Sequence, residues 1–306
     1  MTDTKLTKGG RSLQKKVRDT IRYLDRQQKQ DESVDVQIVQ GANVMAEYKH
    51  LQKKFGDGLS TGYPELDKYF TLIPQQLYLI SGQTHIGKTT LCLNIAARVA
   101  SMGHEVLFCS LEQDIFIAPL VKKIMGEYPK SLDILRTASM ASVRTLGECI
   151  ALMPKKPKLV VLDHLHFLKA KGMGATQDTD ENIKELQNLA KGLEIPILVV
   201  CHTKKIYEKR APTMNDLRDS SQLSQVPSVV LLLHREQNKL SEMQQYQSYL
   251  SKTGALFIAK NRIQGKKGLE SFVLKETGEF VFTKVTDRVA SEGDAKKIFS
   301  KGYKED

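Results

Sequence analysis

A glycine-containing segment between an apolar run and a helical pattern has the residue types needed to bind a phosphate group. Gly82–Thr89 satisfies the spacing G-x-x-x-x-G-K-[ST] at every fixed position. Glycine lets the backbone curl so that successive N–H groups point at one anion, and the positive end of the following helix faces it. In this pattern the Lys88 ammonium group binds the β- and γ-phosphates, and the Thr89 hydroxyl is a ligand of Mg²⁺. The residues predicted to contact the nucleotide are Gly82, Gln83, Thr84, His85, Ile86, Gly87, Lys88, Thr89 and Thr90.

Two acidic residues that follow apolar runs could complete a site for hydrolysis. Asp163 ends the run Lys158–Asp163. At the carboxyl end of a parallel strand, its carboxylate would lie beside the phosphate loop and hold Mg²⁺ through water. Glu112 follows the run Val106–Cys109 and could polarise the attacking water. Its spacing fits a solvent-exposed loop glutamate equally well.

From Gln76 onward, short apolar runs alternate with longer segments of helical periodicity. This alternation predicts an α/β fold with a central, mostly parallel sheet flanked by helices. Farther along, Phe272–Phe282 predicts an antiparallel C-terminal β-hairpin that turns at Thr277 and Gly278. The predicted strands are Leu77–Ile80, Val106–Cys109, Leu159–Leu162, Ile197–Val200, Val229–Leu233 and Leu256–Ala259, and the predicted helices are Thr89–Met102, Ile115–Met125, Val143–Leu152 and Asn182–Gly192.

Composition favours a soluble protein with a polyanionic partner. The formal net charge of the 306 residues is +11, and a basic surface gains affinity for nucleic acid by releasing counterions. A basic protein without such a partner stays an alternative. No apolar run approaches the roughly 18 residues of a membrane span. The four cysteines contain no C-x-x-C pair, so we expect no zinc site or disulfide framework and a cytoplasmic location; they are Cys92, Cys109, Cys149 and Cys201.

We expect four segments along the chain. Residues 1–41 form a basic, polar extension in which Leu13, Val17, Ile21 and Leu24 predict one amphipathic helix. Residues 42–58 contain a second short helix, Ala42–Phe55, which gives the fold a short helical N-terminal extension. Residues 59–286 hold the nucleotide-binding core, and residues 287–306 form a polar tail.

Six motifs follow one another along the chain; they are Thr61–Asp67, the phosphate loop, Ser110–Glu112, Asp163–His166, Asp216–Ser221 and Ala259–Arg262. Their order and spacing resemble the RecA-like motor domain of DnaB-type replicative helicases. Proteins of that family form ring-shaped hexamers that use ATP to move along single-stranded DNA and separate the duplex. The resemblance covers roughly residues 42–285 and implies a RecA-like P-loop NTPase core with ATP and Mg²⁺ as cofactors.

The resemblance implies a role for each matching polar residue of the nucleotide site. Lys88 and Thr89 would bind phosphate and Mg²⁺, Glu112 would activate water, and Asp163 would support the metal. His202 occupies the position of a glutamine that senses the γ-phosphate in DnaB proteins; a histidine there resembles the mitochondrial twinkle-type helicases.

Two further pairs match positions of the family pattern. Lys260 and Arg262 match a Lys-x-Arg finger that reaches the ATP site of the next subunit; the alternative is a strand end with solvated basic residues. His164 and His166 stand where the family has Tyr and Gln. They could report the nucleotide state or simply pack. The spacing H-x-H could also serve a metal site, although no third ligand is evident.

Two loops would face the DNA at the centre of such a ring. They are Ala170–Asp180, expected to be mobile, and Thr203–Asp219, which is rich in basic residues. Such loops suit a grip on phosphates that does not depend on base sequence. Asp219 replaces a glutamate of the family pattern and Ser221 a glycine, so a close backbone contact with DNA at Ser221 stays open. The predicted DNA-binding residues are Lys204, Lys205, Lys209, Arg210, Arg218, Asp219 and Ser221.

The resemblance implies single-stranded and forked DNA as partners, together with other copies of the chain in a hexamer. Residues 1–41 are too few for the N-terminal collar domain of DnaB proteins, so we expect any loader or primase to bind in trans. One alternative is a RecA- or RadA-like recombination ATPase that forms filaments. The absence of a Cys₄ zinc module before the core and the Lys-x-Arg pair favour the ring. Another alternative is a non-translocating ATPase that loads or regulates a helicase.

Overall fold

The computed structural model describes residues 22, 41–111, 117–136, 142–168, 172, 174–204, 206, 210–217, 221–235, 237–238, 249–250 and 252–283. Within these residues, nine strands form one sheet in the order β11-β10-β9-β6-β1-β5-β4-β2-β3, and β7 pairs with β8 separately. The strands are β1 Leu77–Gly82, β2 Val106–Ser110, β3 Leu132–Arg136, β4 Leu159–Asp163, β5 Ile197–His202, β6 Val229–His234, β7 Gln237–Asn238, β8 Tyr249–Leu250, β9 Thr253–Asn261, β10 Gly268–Leu274 and β11 Phe280–Thr283.

Strands β1 to β6 run parallel to their neighbours in this set, whereas β9, β10 and β11 extend the sheet in antiparallel fashion. Helices connect the parallel strands, as parallel pairing requires. The connecting helices are α3 Lys88–Ser101, α4 Ile117–Met125, α5 Val143–Leu152, α6 Ala175–Leu193 and α7 Gln222–Gln225, with 3₁₀ turns at Leu165–Phe167 and Met214–Asp216. Two further helices, α1 Gly41–Phe55 and α2 Pro64–Asp67, precede β1.

The sheet separates two hydrophobic cores. Because neighbouring strand residues point to opposite faces, Tyr78 and Ile80 of β1 lie in one core and Leu77 and Leu79 in the other. Helices α3 and α4 cover the first face, and α5 and α6 cover the second. This three-layer arrangement holds the carboxyl ends of β1, β4 and β5 at one edge of the sheet. No helix in the described ranges is long and apolar enough to span a bilayer.

The structure confirms the α/β prediction and the apolar strands on which it rested. Each of the six predicted strands lies within an observed one, and α1 coincides with the predicted helix Ala42–Phe55. The C-terminal hairpin is also confirmed, because β10 and β11 pair in antiparallel fashion and Gly278 has a left-handed φ of 88°. Apart from residue 22, the predicted N-terminal helix lies outside the described residues, as does the C-terminal tail.

One strand was missed, and the extent of one predicted loop was wrong. Strand β3 was not predicted, because its sequence LDILR has one fully buried side chain, that of Leu132, at an edge of the sheet. The second error concerns the loop predicted at Ala170–Asp180, since α6 begins at Ala175 rather than at Asn182. Asp178 in its first turn has the charge that the helix dipole favours, so a polar sequence here is helical.

Candidate nucleotide-binding site

The phosphate loop joins β1 to α3 and begins at a glycine that has no room for a side chain. A Cβ atom at Gly82 would lie 2.4 Å from Ile86 Cδ1 and 2.6 Å from Leu233 O. The backbone is left-handed at His85 (φ 63°) and at Gly87 (φ 100°), where the loop turns into the helix. Gly87 has no side chain with which to cap α3, so the first N–H groups of the helix can be directed at an anion.

Lys88 and Asp163 bring opposite charges into the interior beside this loop. Lys88 is 5% exposed and donates from Nζ to Gln83 O at 2.6 Å, while Asp163, at the end of β4, is 2% exposed. Both act on the same thiol: burial raises the pKa of Cys92 well above its ordinary value, the Asp163 carboxylate raises it further and Lys88 lowers it. With half-buried Thr89 next to Lys88, the oxygen and ammonium groups fit a phosphate with Mg²⁺.

The register of the sheet places the predicted γ-phosphate sensor next to the loop. Gly82 pairs with His202 across β1 and β5, so the last residues of the two strands lie side by side. On the other side of β4, Asp163 pairs with Ser110 of β2. The carboxyl ends of four parallel strands therefore meet where ligands bind in open α/β sheets.

Three histidines form a cluster at this edge. His202 Nε2 and His164 Nε2 are 3.1 Å apart, and the His166 ring stacks over that of His202 with ring centres 6.1 Å apart. Burial, together with the neighbouring His202, His166 and Lys88, lowers the pKa of His164 to about 3. Among the described residues, no group of three or more His, Cys, Asp or Glu side chains is arranged to hold a metal ion. The metal interpretation of His164 and His166 therefore gains no support.

The sequence analysis missed a second cation beside the loop. Arg235 follows β6 and donates from Nη1 to Ile86 O at 3.3 Å, and burial lowers its pKa. A Cβ atom on Gly87 would lie 3.8 Å from the same Nη1. The signal was present in the sequence, because Arg235 follows an apolar strand whose carboxyl end reaches the same edge. Glu112, the predicted water-activating residue, lies outside the described residues.

The sequence model of the DnaB-like helicase C-terminal domain family matches residues 58–130 and 121–280 of this chain. These matches cover more than half of its length. The chain belongs to the DnaB-like helicase C-terminal domain family. This membership agrees with the resemblance drawn from the motifs.

Curated relatives of this DnaB-like chain are replicative helicases of low sequence identity. The replicative DNA helicase DnaB of Geobacillus stearothermophilus is 26% identical over 223 residues, which are 60% of this chain and 49% of that protein. The DnaB of Leifsonia xyli is 26% identical over 217 residues, 58% of this chain and 47% of the relative. A probable replicative DNA helicase of Trieres chinensis is 24% identical and is covered to 48%. The chain thus spans about half the length of the curated relatives it matches.

Solved structures agree on the fold. A DnaB-like replicative helicase, whose structure was described with its interactions with primase, superposes with a TM-score of 0.64 at 19% identity, covering 89% of this chain and 75% of that chain. A solved ATPase domain gives the same TM-score at 20% identity and is covered completely, together with 83% of this chain. The predicted RecA-like P-loop NTPase fold is therefore confirmed.

The Lys-x-Arg pair of this DnaB-like domain lies at the opposite edge of the sheet from its own phosphate loop. Asn261, between the two, pairs with Val229, the first residue of β6. The Lys260 Nζ donates to the carbonyl oxygens of Ser224 (2.7 Å) and Gln225 (2.6 Å), and burial, with a smaller effect of Arg262, lowers its pKa to about 8. Arg262 is exposed. The pair therefore lies away from the nucleotide site of its own chain.

Part of the predicted DNA-binding loop is anchored to the end of β5. Arg210 binds Asp216 through two hydrogen bonds of 2.7 Å, so its guanidinium is engaged within the loop. Lys204 is exposed and donates from its backbone N to Asp216 O at 2.7 Å, and Ser221 is exposed before α7. The remaining predicted DNA contacts lie outside the described residues; they are Lys205, Lys209, Arg218 and Asp219.

Proposed function

We propose that this chain is the ATP-hydrolysing motor of a replicative DNA helicase that works as a ring hexamer. The ring would move on single-stranded DNA, in the 5′ to 3′ direction that the family resemblance implies, and separate the duplex at forks. Membership of the DnaB-like family supports the class of activity. The observation that carries the proposal is the position of Lys260 and Arg262, which lie at the sheet edge remote from their own phosphate loop.

The phosphate-loop edge of one chain would bind ATP and supply most of the groups needed for its hydrolysis. The N–H groups of the loop and Lys88 would bind the triphosphate, while Thr89 and, through water, Asp163 would hold Mg²⁺. Bound Mg²⁺ neutralises charge on the phosphates during phosphoryl transfer. His202 lies beside Gly82 and would contact the γ-phosphate, and Glu112 would orient the attacking water.

A second chain would complete this site. Lys260 and Arg262 cannot serve a nucleotide at the other edge of their own sheet, but a head-to-tail neighbour could receive them at its phosphate loop. Cations supplied in this way stabilise the charge of the transition state. Repetition of one head-to-tail contact closes a ring when the rotation allows it, and α1 would dock on the adjacent motor as the linker.

The basic loops between β5 and α7 would grip the DNA backbone. Exposed Lys204 can contact a phosphate directly, whereas Arg210 would shape the loop through Asp216. Contacts of this type hold single strands without reading their sequence. A loader or primase would bind in trans. The DNA-contacting set would be completed by Lys205, Lys209, Arg218, Asp219 and Ser221.

The proposal is tested by mixing two inactive variants. Lys88→Ala removes a phosphate ligand but keeps the finger, and Arg262→Ala removes the finger but keeps the nucleotide site. Each variant alone should lose DNA-stimulated ATP hydrolysis, and Arg262→Ala should still bind nucleotide. When the two are mixed, about a quarter of the interfaces in random rings would combine an intact site with an intact finger, so activity should return.

Lys267→Ala is the matched control, because it removes an exposed positive charge near the finger and should keep full activity. Unwinding of a forked DNA with a 5′ tail, but not of a 3′-tailed fork, would establish the helicase activity and its direction. Full ATPase activity in Arg262→Ala, or no recovery in the mixture, would refute the shared site. ATP turnover without unwinding of either fork would favour a filament-forming or loading protein instead.

A further inference from the structure

His164 is a buried side chain that is hydrogen-bonded through both of its ring nitrogens. Its Nδ1 accepts a hydrogen bond from the backbone N–H of His166 at 3.3 Å, which caps the short 3₁₀ turn after β4. Its Nε2 lies 3.1 Å from Nε2 of His202 at the end of β5. The two rings meet edge to face, with centres 4.5 Å apart and planes at 79°.

The first of these contacts decides where His164 carries its proton. A backbone N–H can only donate, so Nδ1 of His164 must offer a lone pair and carries no hydrogen. A neutral imidazole has one N–H group, which leaves the proton of His164 on Nε2. His164 is therefore the donor in its contact with His202.

The contact between the two Nε2 atoms then decides which tautomer His202 adopts. Its Nε2 accepts the hydrogen bond from His164, so it carries no hydrogen either. The one N–H group of the His202 ring is consequently on Nδ1, an atom that is buried at this edge of the sheet. A backbone amide of the turn after β4 thus fixes the direction of hydrogen bonding across two side chains.

We propose that His164 is a positioning residue that holds His202 in the tautomer with its proton on Nδ1. In this tautomer the buried Nδ1 of His202 carries the hydrogen, so a phosphate oxygen that reached this atom would meet a donor. The other tautomer would present a lone pair at Nδ1 and repel the same oxygen. The claim about the tautomer stands on the geometry alone, whereas the role toward the γ-phosphate rests on the proposed function.

The two hydrogen bonds of His164 can be separated by substitution. In His164→Gln the side-chain amide reaches the position of Nε2, so it keeps a donor for His202 and loses the cap of the 3₁₀ turn. In His164→Asn the amide reaches only the position of Nδ1, so it keeps an acceptor for the His166 N–H and loses the donor. The two variants are therefore matched controls for one another.

The kinetic test compares kcat and KM for ATP in the complete protein with single-stranded DNA. His164→Asn should lower kcat about 10–100-fold, by analogy with the loss of a partner that orients a metal-binding histidine. The KM should change much less. His164→Gln should keep kcat within a few-fold of the wild type. A larger loss of kcat in His164→Gln than in His164→Asn would show that the cap of the 3₁₀ turn matters and would overturn the positioning role.

The direct test is solid-state NMR of the complete, nucleotide-free protein with ¹⁵N-labelled histidine, in which His202→Gln identifies the His202 signals. The wild type should show a directly bonded proton on Nδ1 of His202, and His164→Asn should shift the ring toward a mixture of tautomers. A proton on Nε2 of His202 in the wild type would overturn the proposal. This readout needs no enzymatic activity, so it can succeed even if the proposed helicase function fails.

Discussion

A single buried amide in α3 should contribute strongly to stability, because it ties the helix of the phosphate loop to the C-terminal hairpin. Asn94 Nδ2 donates to Gly278 O at 2.9 Å and to Thr90 O at 2.8 Å. Its Oδ1 accepts from Tyr63 OH at 2.9 Å and from Phe280 N at 3.2 Å. Asn94 is fully buried, so water cannot replace these partners without entering the core.

The cost of Asn94→Ala can be estimated from the groups that lose this partner. Thr90 O is a helix carbonyl and retains its backbone bond, and the single O–H of Tyr63 can turn to Phe280 O, which lies 3.2 Å away. The Phe280 N–H and the Gly278 carbonyl are the groups most affected. A buried polar group left unsatisfied costs about 1–3 kcal/mol, and alanine returns only a few tenths as a better helix former. We therefore expect a loss of about 2–5 kcal/mol in unfolding free energy.

Urea unfolding of the complete protein measures this loss. The slope of unfolding free energy against urea concentration is compared between the variants. Tyr63→Phe is the control, because it removes one neutral hydrogen bond while Asn94 keeps its other partners. It should cost about 1 kcal/mol. If Asn94→Ala cost no more than Tyr63→Phe at unchanged slope, the amide would not be the link that the hydrogen bonds describe.

Two further substitutions probe the site and its loop. Gly82→Ala should abolish binding of a fluorescent ATP analogue, because its Cβ would lie 2.6 Å from the backbone oxygen of Leu233; Gly41→Ala, with open space around it, should bind normally. Arg210 lowers the pKa of Asp216 to about 2 from 3.8, so this pair stabilises the fold fully above about pH 3.8 and loses its effect as the pH falls toward 2. The difference in melting temperature between wild type and Asp216→Asn should therefore be constant near pH 6 and shrink near pH 3, and a constant difference at both pH values would refute this linkage.

Most of the fold could be predicted because its parallel strands are buried on both faces and read as continuous apolar runs. β3 was not predicted, because a strand at the edge of a sheet needs few buried side chains and its sequence therefore shows no continuous apolar run. The start of α6 escaped for a related reason. Its first two turns are polar, yet Asp178, Thr179 and Asn182 are buried there, which apolar periodicity does not reveal.

The candidate site divides in the same way. The phosphate loop and Asp163 were predictable, because local spacing and a strand end suffice to place them. The contact of His164 with His202 joins residues 38 positions apart, and it depends on β4 lying beside β5 and on the turn that follows β4. Arg235 likewise reaches the phosphate loop only because β6 lies beside β1.

The end of β5 is where nucleotide and DNA would be coupled. After His202, Thr203 forms a bridge with Leu217, and Lys204 N donates to Asp216 O at 2.7 Å. Asp216 in turn holds Arg210, so the segment between them follows the strand end. The end of β5 is therefore joined to the basic loop by backbone hydrogen bonds rather than by flexible side chains alone. We therefore infer that loss of Asp216 weakens the stimulation of ATP hydrolysis by DNA more than it weakens hydrolysis without DNA.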